Sequence, residues 1–116
     1  MTPKQFQKYL DRDGGCVHCG ITDSVAPHHR ANRGMGGSKK RDVPSNIVVV
    51  CSWLNGAMES NAGIAHKAHF HGWKLWAGEN PLDVPVWDAV RREWVLLGDD
   101  FSRTRVDRMP LQEAFL

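Results

Sequence analysis

Three cysteines in two separate segments constrain what this chain can fold into more than any other feature. Cys16 and Cys19 belong to a Cys-x-x-Cys-Gly pattern, and Cys51 directly follows the apolar run Ile-Val-Val-Val. An odd number of cysteines in a reducing compartment argues against a disulfide framework. We therefore expect these side chains either to bind a metal ion or to be buried as small apolar groups.

The length and composition indicate a single domain over residues 1–116. The hydrophobic fraction of 41% and the charged fraction of 24% are ordinary for a globular chain. No apolar run reaches the roughly 18 residues that a transmembrane helix needs, and the first residues lack the apolar core of a signal peptide. We expect a cytoplasmic protein that does not contact membranes.

Hydrophobic periodicity predicts an α+β fold. Helices are expected over residues 3–12 and 62–71, and another helix is expected to begin at Ser52 as its N-cap. Strands are predicted over 25–30 and 47–50, with further short strands around 73–76, 85–88 and 93–97. Residues 31–45 are rich in glycine and lysine, so they predict a long loop. The predicted core is therefore strand, long loop, strand and helix.

Positive charge is concentrated locally, although the formal net charge is only +2. One basic cluster lies at the predicted long loop, and a second lies between residues 103 and 108. Such patches can neutralise phosphate groups even on a nearly neutral protein. We expect the first cluster to bind the phosphates of nucleic acid, with its two leading arginines clamping them. Its members are Arg30, Arg33, Lys39, Lys40 and Arg41.

Aromatic and histidine residues in the second half of the chain have two interpretations each. We expect the tryptophans to fill the core rather than to stack on bases. These are Trp53, Trp73, Trp76, Trp87 and Trp94. Helical spacing brings at most two of the histidines His66, His69 and His71 onto one face, so we expect them to face solvent or DNA rather than to bind a metal.

Taken together, these motifs resemble those of the HNH endonucleases. The matching features are the Cys-x-x-Cys-Gly pattern, the pair His28-His29 followed by Arg30, a Gly-Gly loop, and Asn46 before an apolar strand that ends in Cys51. The later segments Gly72-Trp73 and Pro81-x-x-x-Pro85-Val86 are similar to small HNH proteins of bacteriophages. The resemblance implies a ββα-metal core, also called a His-Me finger, over about residues 16–60. Flanking helices and short C-terminal strands would complete the single nuclease domain, with residues 61–116 as a C-terminal extension.

The resemblance also implies roles for four residues. His28 matches a ligand of the catalytic metal, and His29 matches the general base, for which an imidazole that titrates near neutral pH is suited. Asn46 matches the residue that holds the loop and orients the base, through its backbone carbonyl. Asn55 stands where a histidine is usual, as in the HNN variant. Its amide oxygen would ligate a hard cation such as Mg²⁺ or Mn²⁺.

A departure from the family pattern concerns the structural zinc site. Members with this knuckle use a second Cys-x-x-Cys pair, which here would be Cys51 and residue 54, but Leu54 cannot ligate. Three outcomes remain open. Zinc is held by the three cysteines and a substitute such as His18 or His66, or by the three cysteines and water, or it is absent and the cysteines pack as apolar groups.

The resemblance implies metal-dependent hydrolysis of DNA phosphodiester bonds, giving 5′-phosphate and 3′-hydroxyl ends. One active site per chain favours a monomer that nicks DNA, and nothing in the basic cluster reads bases, so we expect low sequence specificity. The likeness to phage proteins implies a terminase partner in DNA packaging and the host cytoplasm as the location. One alternative is a non-catalytic zinc-knuckle module that binds DNA. A weaker alternative is a structural zinc protein that binds other proteins.

Overall fold

The computed structural model describes residues 1–32 and 41–111 and has the mixed α+β architecture that the sequence predicts. Small antiparallel sheets and short helices are packed into one compact unit. In chain order the elements are α1 (Pro3–Asp13), β1 (Val25–His29), a 3-10 turn (Pro44–Asn46), β2 (Ile47–Cys51), α2 (Ser52–Ser60), α3 (Ala62–Phe70), β3 (Val86–Asp88), β4 (Glu93–Leu97) and β5 (Arg103–Val106).

The helices are short, and local capping fixes where they begin and end. At the start of α1, Thr2 Oγ1 accepts from the Gln5 amide at 3.1 Å while the Gln5 side chain accepts from the Thr2 amide at 2.8 Å. Gly14, in the left-handed region at φ 75°, ends the helix. Within the two described ranges, no helix combines the length and the apolar character required to cross a bilayer.

Strands β1 and β2 pair antiparallel, and α2 follows β2 without a connecting loop. His28 lies opposite Val48, and His29 lies opposite Ile47. The cap of α2 is Cys51 rather than the predicted Ser52, because the Cys51 thiol accepts from the Leu54 amide at 3.4 Å. The predicted order of strand, strand and helix is confirmed, whereas residues 33–40 of the predicted loop lie outside the described residues.

Strand β2 is buried on both faces, which explains why its sequence is continuously apolar rather than alternating. Val48 and Val50 belong to the main hydrophobic core, which also contains Leu54 and Met58 of α2. Ile47 and Val49 pack with Tyr9 of α1 in a second cluster (Tyr9, Ile47 and Val49). The β1–β2 pair is therefore held between α2 on one face and α1 on the other.

The second sheet has the order β3–β4–β5. The strands predicted around 85–88 and 93–97 are confirmed, but the strand predicted around 73–76 is wrong, because those residues form a loop. Strand β5 was not predicted. Its Arg103 donates to Asp88 of β3 and, at 2.9 Å, to Glu93 of β4. At least this arginine of the second basic cluster therefore links the strands of the sheet.

The tryptophan prediction is right for three residues and wrong for two. Trp73, Trp87 and Trp94 are buried in the main core, and Trp73 Nε1 donates to the Trp87 carbonyl at 2.9 Å. In contrast, the side chains of Trp53 and Trp76 are 58% and 55% exposed. These two rings are available at the surface.

Candidate functional site

The Cys-x-x-Cys-Gly segment forms a tight knuckle. The Cys16 amide donates to the Ile21 carbonyl at 2.9 Å, and the Gly20 amide donates to the Cys16 carbonyl at 2.9 Å. Gly20 adopts φ 82°, which a residue with a side chain rarely does. The His18 amide donates to the Cys16 sulfur at 3.4 Å, so the turn directs one backbone donor toward this sulfur.

The knuckle brings four metal-ligating side chains together. One ligand atom from each of Cys16, His18, Cys19 and Cys51 lies within 4.8 Å of the other three. Ligands at 2.0–2.3 Å from a tetrahedral zinc ion lie roughly 3.5–4 Å apart, so a small closure of this group matches a zinc sphere. Three thiols and one imidazole form a known donor set for structural zinc. This cluster could hold a metal ion such as zinc.

His18 has the character of a ligand rather than of a core residue. Its Nδ1 atom is buried and has no hydrogen-bond partner within the described residues. Burial lowers the pKa of the His18 imidazole, which favours the neutral form that binds metals. A buried polar atom without a partner is costly, and a metal ion bound at Nδ1 would remove that cost.

The cluster bears on the alternatives left open by Leu54. The fourth position is offered by His18, while His66 lies exposed on α3 against Phe70. Leu54 is fully buried in the main core, where it packs and does not ligate. Of the two substitutes that the sequence offered, the geometry favours His18.

His28 lies on the face of β1 that packs toward α2 and is 5% exposed. Its Nε2 is 2.7 Å from the Trp73 carbonyl. A carbonyl only accepts, so Nε2 must carry the proton and Nδ1 must carry the lone pair. Burial lowers the pKa of His28 to about 4, despite the favourable bond to Trp73. The ring is therefore neutral at pH 7.

We expect His28 to make the protein less stable in mild acid. Its folded pKa of about 4 is below the ordinary value of 6.5, so the unfolded chain binds the extra proton first. The free energy of unfolding therefore has its full value above about pH 6.5, and the part that depends on a neutral His28 is lost as the pH falls toward 4. The shift corresponds to about 3 kcal/mol. Urea unfolding of wild type and His28→Gln, followed at steps from pH 7.5 to pH 4.5 without added divalent cation, checks this.

The comparison of the two proteins isolates His28, because all other titrating groups are shared. The free energy of unfolding of His28→Gln should fall less steeply than that of wild type over this range. Parallel curves for the two proteins would show that His28 does not titrate in this way.

His29, the last residue of β1, lies beside an open pocket. Its Nε2 is 2.6 Å from Asp42 Oδ1, and both side chains are partly exposed, at 23% and 40%. When Nε2 donates to the carboxylate, Nδ1 can accept a proton. The pocket has a volume of about 550 Å³. Its lining includes Lys8 and Tyr9 of α1 and Phe101 of the turn between β4 and β5. Imidazole and carboxylate thus form a pair that solvent can reach.

The two adjacent histidines face different sides of the sheet. Successive side chains of a strand point to opposite faces, so His28 is on the α2 side and His29 is on the α1 side. The sequence alone led us to expect both imidazoles to converge on one phosphate. A shared substrate would have to lie across the end of β1, where the two sides meet.

Asn46 ties together residues on the two sides of the predicted loop. Its Nδ2 donates to the Ala31 carbonyl at 3.1 Å and to the Arg41 carbonyl at 2.9 Å, and its Oδ1 accepts from the Ala31 amide at 2.8 Å. Its backbone carbonyl, expected to orient His29, instead accepts from the Arg30 amide at 2.8 Å. The ring partner of His29 is Asp42.

Asn55 lies on α2, which packs against β1 and β2. Its side chain is half-buried and makes no hydrogen bond to any described residue. The amide is therefore not committed to a structural contact there. Helix α2 packs on the same side of the β1–β2 pair as His28.

Arg30 corrects the predicted phosphate clamp. Its side chain is 1% exposed, and its guanidinium donates to four backbone carbonyls, so it cannot reach DNA. The acceptors are Gly72 at 2.7 Å, Ser45 at 2.8 Å, Pro81 at 3.1 Å and Val84 at 2.6 Å. Arg41 is half-buried at the far end of the loop. The other three members of this cluster lie outside the described residues: Arg33, Lys39 and Lys40.

Family models, curated proteins and solved structures offer no match to this chain. The chemistry of the site therefore rests on its own residues.

Two contributors to the site were incompletely visible in the sequence. Asp42 is the first acid after the basic run, but nothing local showed that it would contact His29. His18 was one of two candidate substitutes in the knuckle, and its position between Cys16 and Cys19 was the available signal. In both cases the decisive information is a contact formed by the fold.

Proposed function

We propose that this chain is a metal-dependent DNA endonuclease of the HNH type, with a ββα-metal core made of β1, β2 and α2. The single observation that carries the proposal is the His29–Asp42 pair at the end of β1, open to a pocket of about 550 Å³. The direct succession of β2 and α2 and the tie that Asn46 makes across the loop support it. DNA is the proposed partner. A phage terminase partner and a host-cytoplasm location stay predictions of the resemblance.

In this proposal His29 is the general base. Its Nδ1 accepts a proton from water while the water oxygen bonds to phosphorus, and the bond from phosphorus to the 3′ oxygen breaks. Asp42 holds the ring and stabilises the imidazolium that results. The departing 3′ oxygen takes a proton from solvent, which leaves 5′-phosphate and 3′-hydroxyl ends.

His28 and Asn55 would hold the divalent cation, Mg²⁺ or Mn²⁺. His28 fits the role because its Nε2 proton is given to a carbonyl, which leaves a neutral ring with a lone pair on Nδ1. Asn55 fits because its amide is free of hydrogen bonds to described residues. When bound, such an ion stabilises negative charge on the phosphate.

The zinc part of the proposal is a structural ion held by Cys16, His18, Cys19 and Cys51. The orphaned Nδ1 atom of His18 supports this ligand set over three cysteines and water. Such an ion would fasten the knuckle to the beginning of α2, where Cys51 is the cap. It would support the nuclease core without taking part in the reaction.

Replacing His29 tests the proposed activity. We expect wild type to convert supercoiled plasmid to the nicked form in Mg²⁺ or Mn²⁺, and His29→Ala to be slower by at least about 100-fold, which is the lower range for general-base catalysis. Asp42→Asn should give a smaller loss, since it keeps a polar partner but not the charge. Exposed Asp23→Asn is the matched control and should nick at the wild-type rate. Gel electrophoresis with time measures all four proteins.

Asn55→Ala tests the metal side separately from the base. The Asn55→Ala protein should need a higher Mg²⁺ concentration for half-maximal nicking while His29 remains intact.

If wild type and His29→Ala nick equally, or if neither nicks, the catalytic proposal is wrong. The second candidate, a non-catalytic zinc-knuckle module that binds DNA, would then be favoured. The burial of His28 and the opposite faces of the two histidines are the observations in its favour.

A further inference from the structure

A group of aromatic rings is exposed where α3 ends and the next loop begins. The Trp76 ring stacks on His69, with ring centroids 3.4 Å apart and planes 3° from parallel. His66 lies edge-on to both Phe70 and Trp76, at 5.3 and 6.4 Å between centroids. Phe70 and Trp76 are 66% and 55% exposed. Exposed large apolar rings that contact one another form a candidate binding surface.

The ring of Trp76 is held in place before any partner arrives. The Trp76 amide donates to Glu79 Oε1 at 2.6 Å, and the Glu79 amide donates back to the Trp76 carbonyl at 3.1 Å. His69 supports one face of the indole by stacking, and it is itself bonded to the Lys74 backbone. A fixed aromatic ring loses little conformational entropy when a planar group stacks on it.

The aromatic group is joined to the end of β1 by the segment that precedes Trp76. His28 donates to the Trp73 carbonyl at 2.7 Å, and the Leu75 amide donates to the Arg30 carbonyl at 2.8 Å. The segment that ends in Trp76 therefore runs along the end of β1. A strand of DNA whose phosphate lies at the end of β1 would have its neighbouring bases near this segment.

Lys74 provides positive charge between the two places. It stands in the chain between Trp73, whose carbonyl accepts from His28, and Trp76, whose ring stacks on His69. Single-stranded DNA is recognised by this combination, in which cations follow the phosphates and aromatic faces stack on the bases. Stacked base pairs of a duplex do not expose their faces in this way.

We propose that the His69–Trp76 stack, with His66 and Phe70, is a platform on which unpaired bases of single-stranded DNA stack beside the cleavage site. This inference rests on the proposed DNA endonuclease, and it narrows the substrate to DNA with unpaired bases. Indole and imidazole faces accept any base, so the platform selects strand state and not sequence.

Binding of a fluorescein-labelled 12-residue oligothymidine, compared with a 12-base-pair duplex, tests the platform. Anisotropy is measured at one salt concentration, without added divalent cation, with His29→Ala present in every protein so that cleavage is excluded. We expect Trp76→Ala to weaken oligothymidine binding by about tenfold or more, and duplex binding by less than about twofold. Trp76→Phe should retain most of the affinity, because phenylalanine still stacks.

The matched control is Trp53→Ala, since Trp53 is equally exposed at 58% but lies on α2 outside the platform. Its oligothymidine affinity should match the His29→Ala parent. The proposal is overturned if the parent does not bind oligothymidine, if Trp76→Ala binds it as tightly, or if Trp76→Phe or Trp53→Ala loses as much as Trp76→Ala. If wild type fails to nick plasmid but oligothymidine binding still depends on Trp76, the proposed endonuclease activity is wrong and the proposed platform is supported.

Discussion

Replacing His18 by alanine is expected to abolish stoichiometric zinc binding and to lower the stability of the whole domain, whereas His66→Ala is expected to do neither. His18 belongs to the group of four ligand atoms within 4.8 Å, while His66 is exposed on α3. At free zinc about 1,000-fold above its dissociation constant, an ion bound only by the folded chain contributes about 4 kcal/mol. That is a large part of the 5–15 kcal/mol typical of a domain.

The knuckle is connected to both sheets, so the effect of losing the ion should extend across the fold. The Val17 amide donates to the Val49 carbonyl of β2 at 3.0 Å, and the Ala89 amide next to β3 donates to the Val17 carbonyl at 2.9 Å. Cys51 is the last residue of β2 and the N-cap of α2. A metal at this point therefore fastens three elements that are distant in sequence.

Zinc content of purified protein and thermal unfolding followed by circular dichroism, under reducing conditions, measure the two effects. Wild type and His66→Ala should hold one zinc each, and a chelator should lower their melting temperatures. His18→Ala should hold less than one zinc per chain. Without a chelator, it should melt at the temperature at which wild type melts with one. If His18→Ala keeps a full zinc ion, three cysteines and water are sufficient. If wild type holds none, the cysteines are packing groups.

The β1–β2–α2 unit could be predicted because its signals are local. Residues 47–50 are β-branched and apolar, and the residues after Cys51 follow a helical period, so the sequence predicts both elements from about ten neighbouring positions. The ends of the elements were less certain. The cap at Cys51 was missed because a thiol is a weak acceptor and Ser52 is the commoner capping residue.

The segment 73–76 was wrongly predicted to be a strand, although its burial alternates as it would in one. Trp73 and Leu75 are buried while Lys74 is half-buried and Trp76 is exposed, which is the pattern of a half-buried strand. The segment does run along the end of β1, but it is joined there by the Leu75 amide and by a histidine ring rather than by a ladder of backbone bonds. Period alone does not distinguish the two cases.

The error at Arg30 has a different origin, because no local signal could have prevented it. The residue lies next to a basic loop, yet three of its acceptors are carbonyls 42–54 positions further along the chain. Only the packing of residues 72–84 against the end of β1 makes these carbonyls converge. The same limit applies to His29, whose partner Asp42 lies on the far side of the long loop.

Arg30→Ala is expected to destabilise the domain by about 3–5 kcal/mol, the upper part of the range for a single substitution that breaks a buried hydrogen-bond network. The change leaves four carbonyls without their donor, and each unsatisfied buried acceptor costs about 1–3 kcal/mol before the structure relaxes. A cavity remains where the guanidinium lay. Against a stability of 5–15 kcal/mol, this loss could unfold the protein at moderate temperature.

Arg30→Lys separates the charge of the residue from its geometry. Lysine keeps the positive charge, but three donors on one nitrogen cannot reach acceptors that a planar guanidinium spans. Burial already lowers the pKa of Arg30 to about 9, and a lysine in the same site would be easier still to neutralise. We therefore expect Arg30→Lys to recover only part of the stability lost by Arg30→Ala.

Urea unfolding at saturating zinc, followed by tryptophan fluorescence, measures these changes, with Arg105→Ala as the matched control. Arg105 is 80% exposed and 3.7 Å from Glu93, so its removal should change the free energy of unfolding by less than about 0.5 kcal/mol. A phosphate-clamping Arg30 would give the opposite result: wild-type stability for Arg30→Lys together with weaker, less salt-dependent DNA binding. A loss of stability in Arg30→Lys would show that Arg30 stabilises the fold, through the hydrogen bonds of its guanidinium to buried carbonyls.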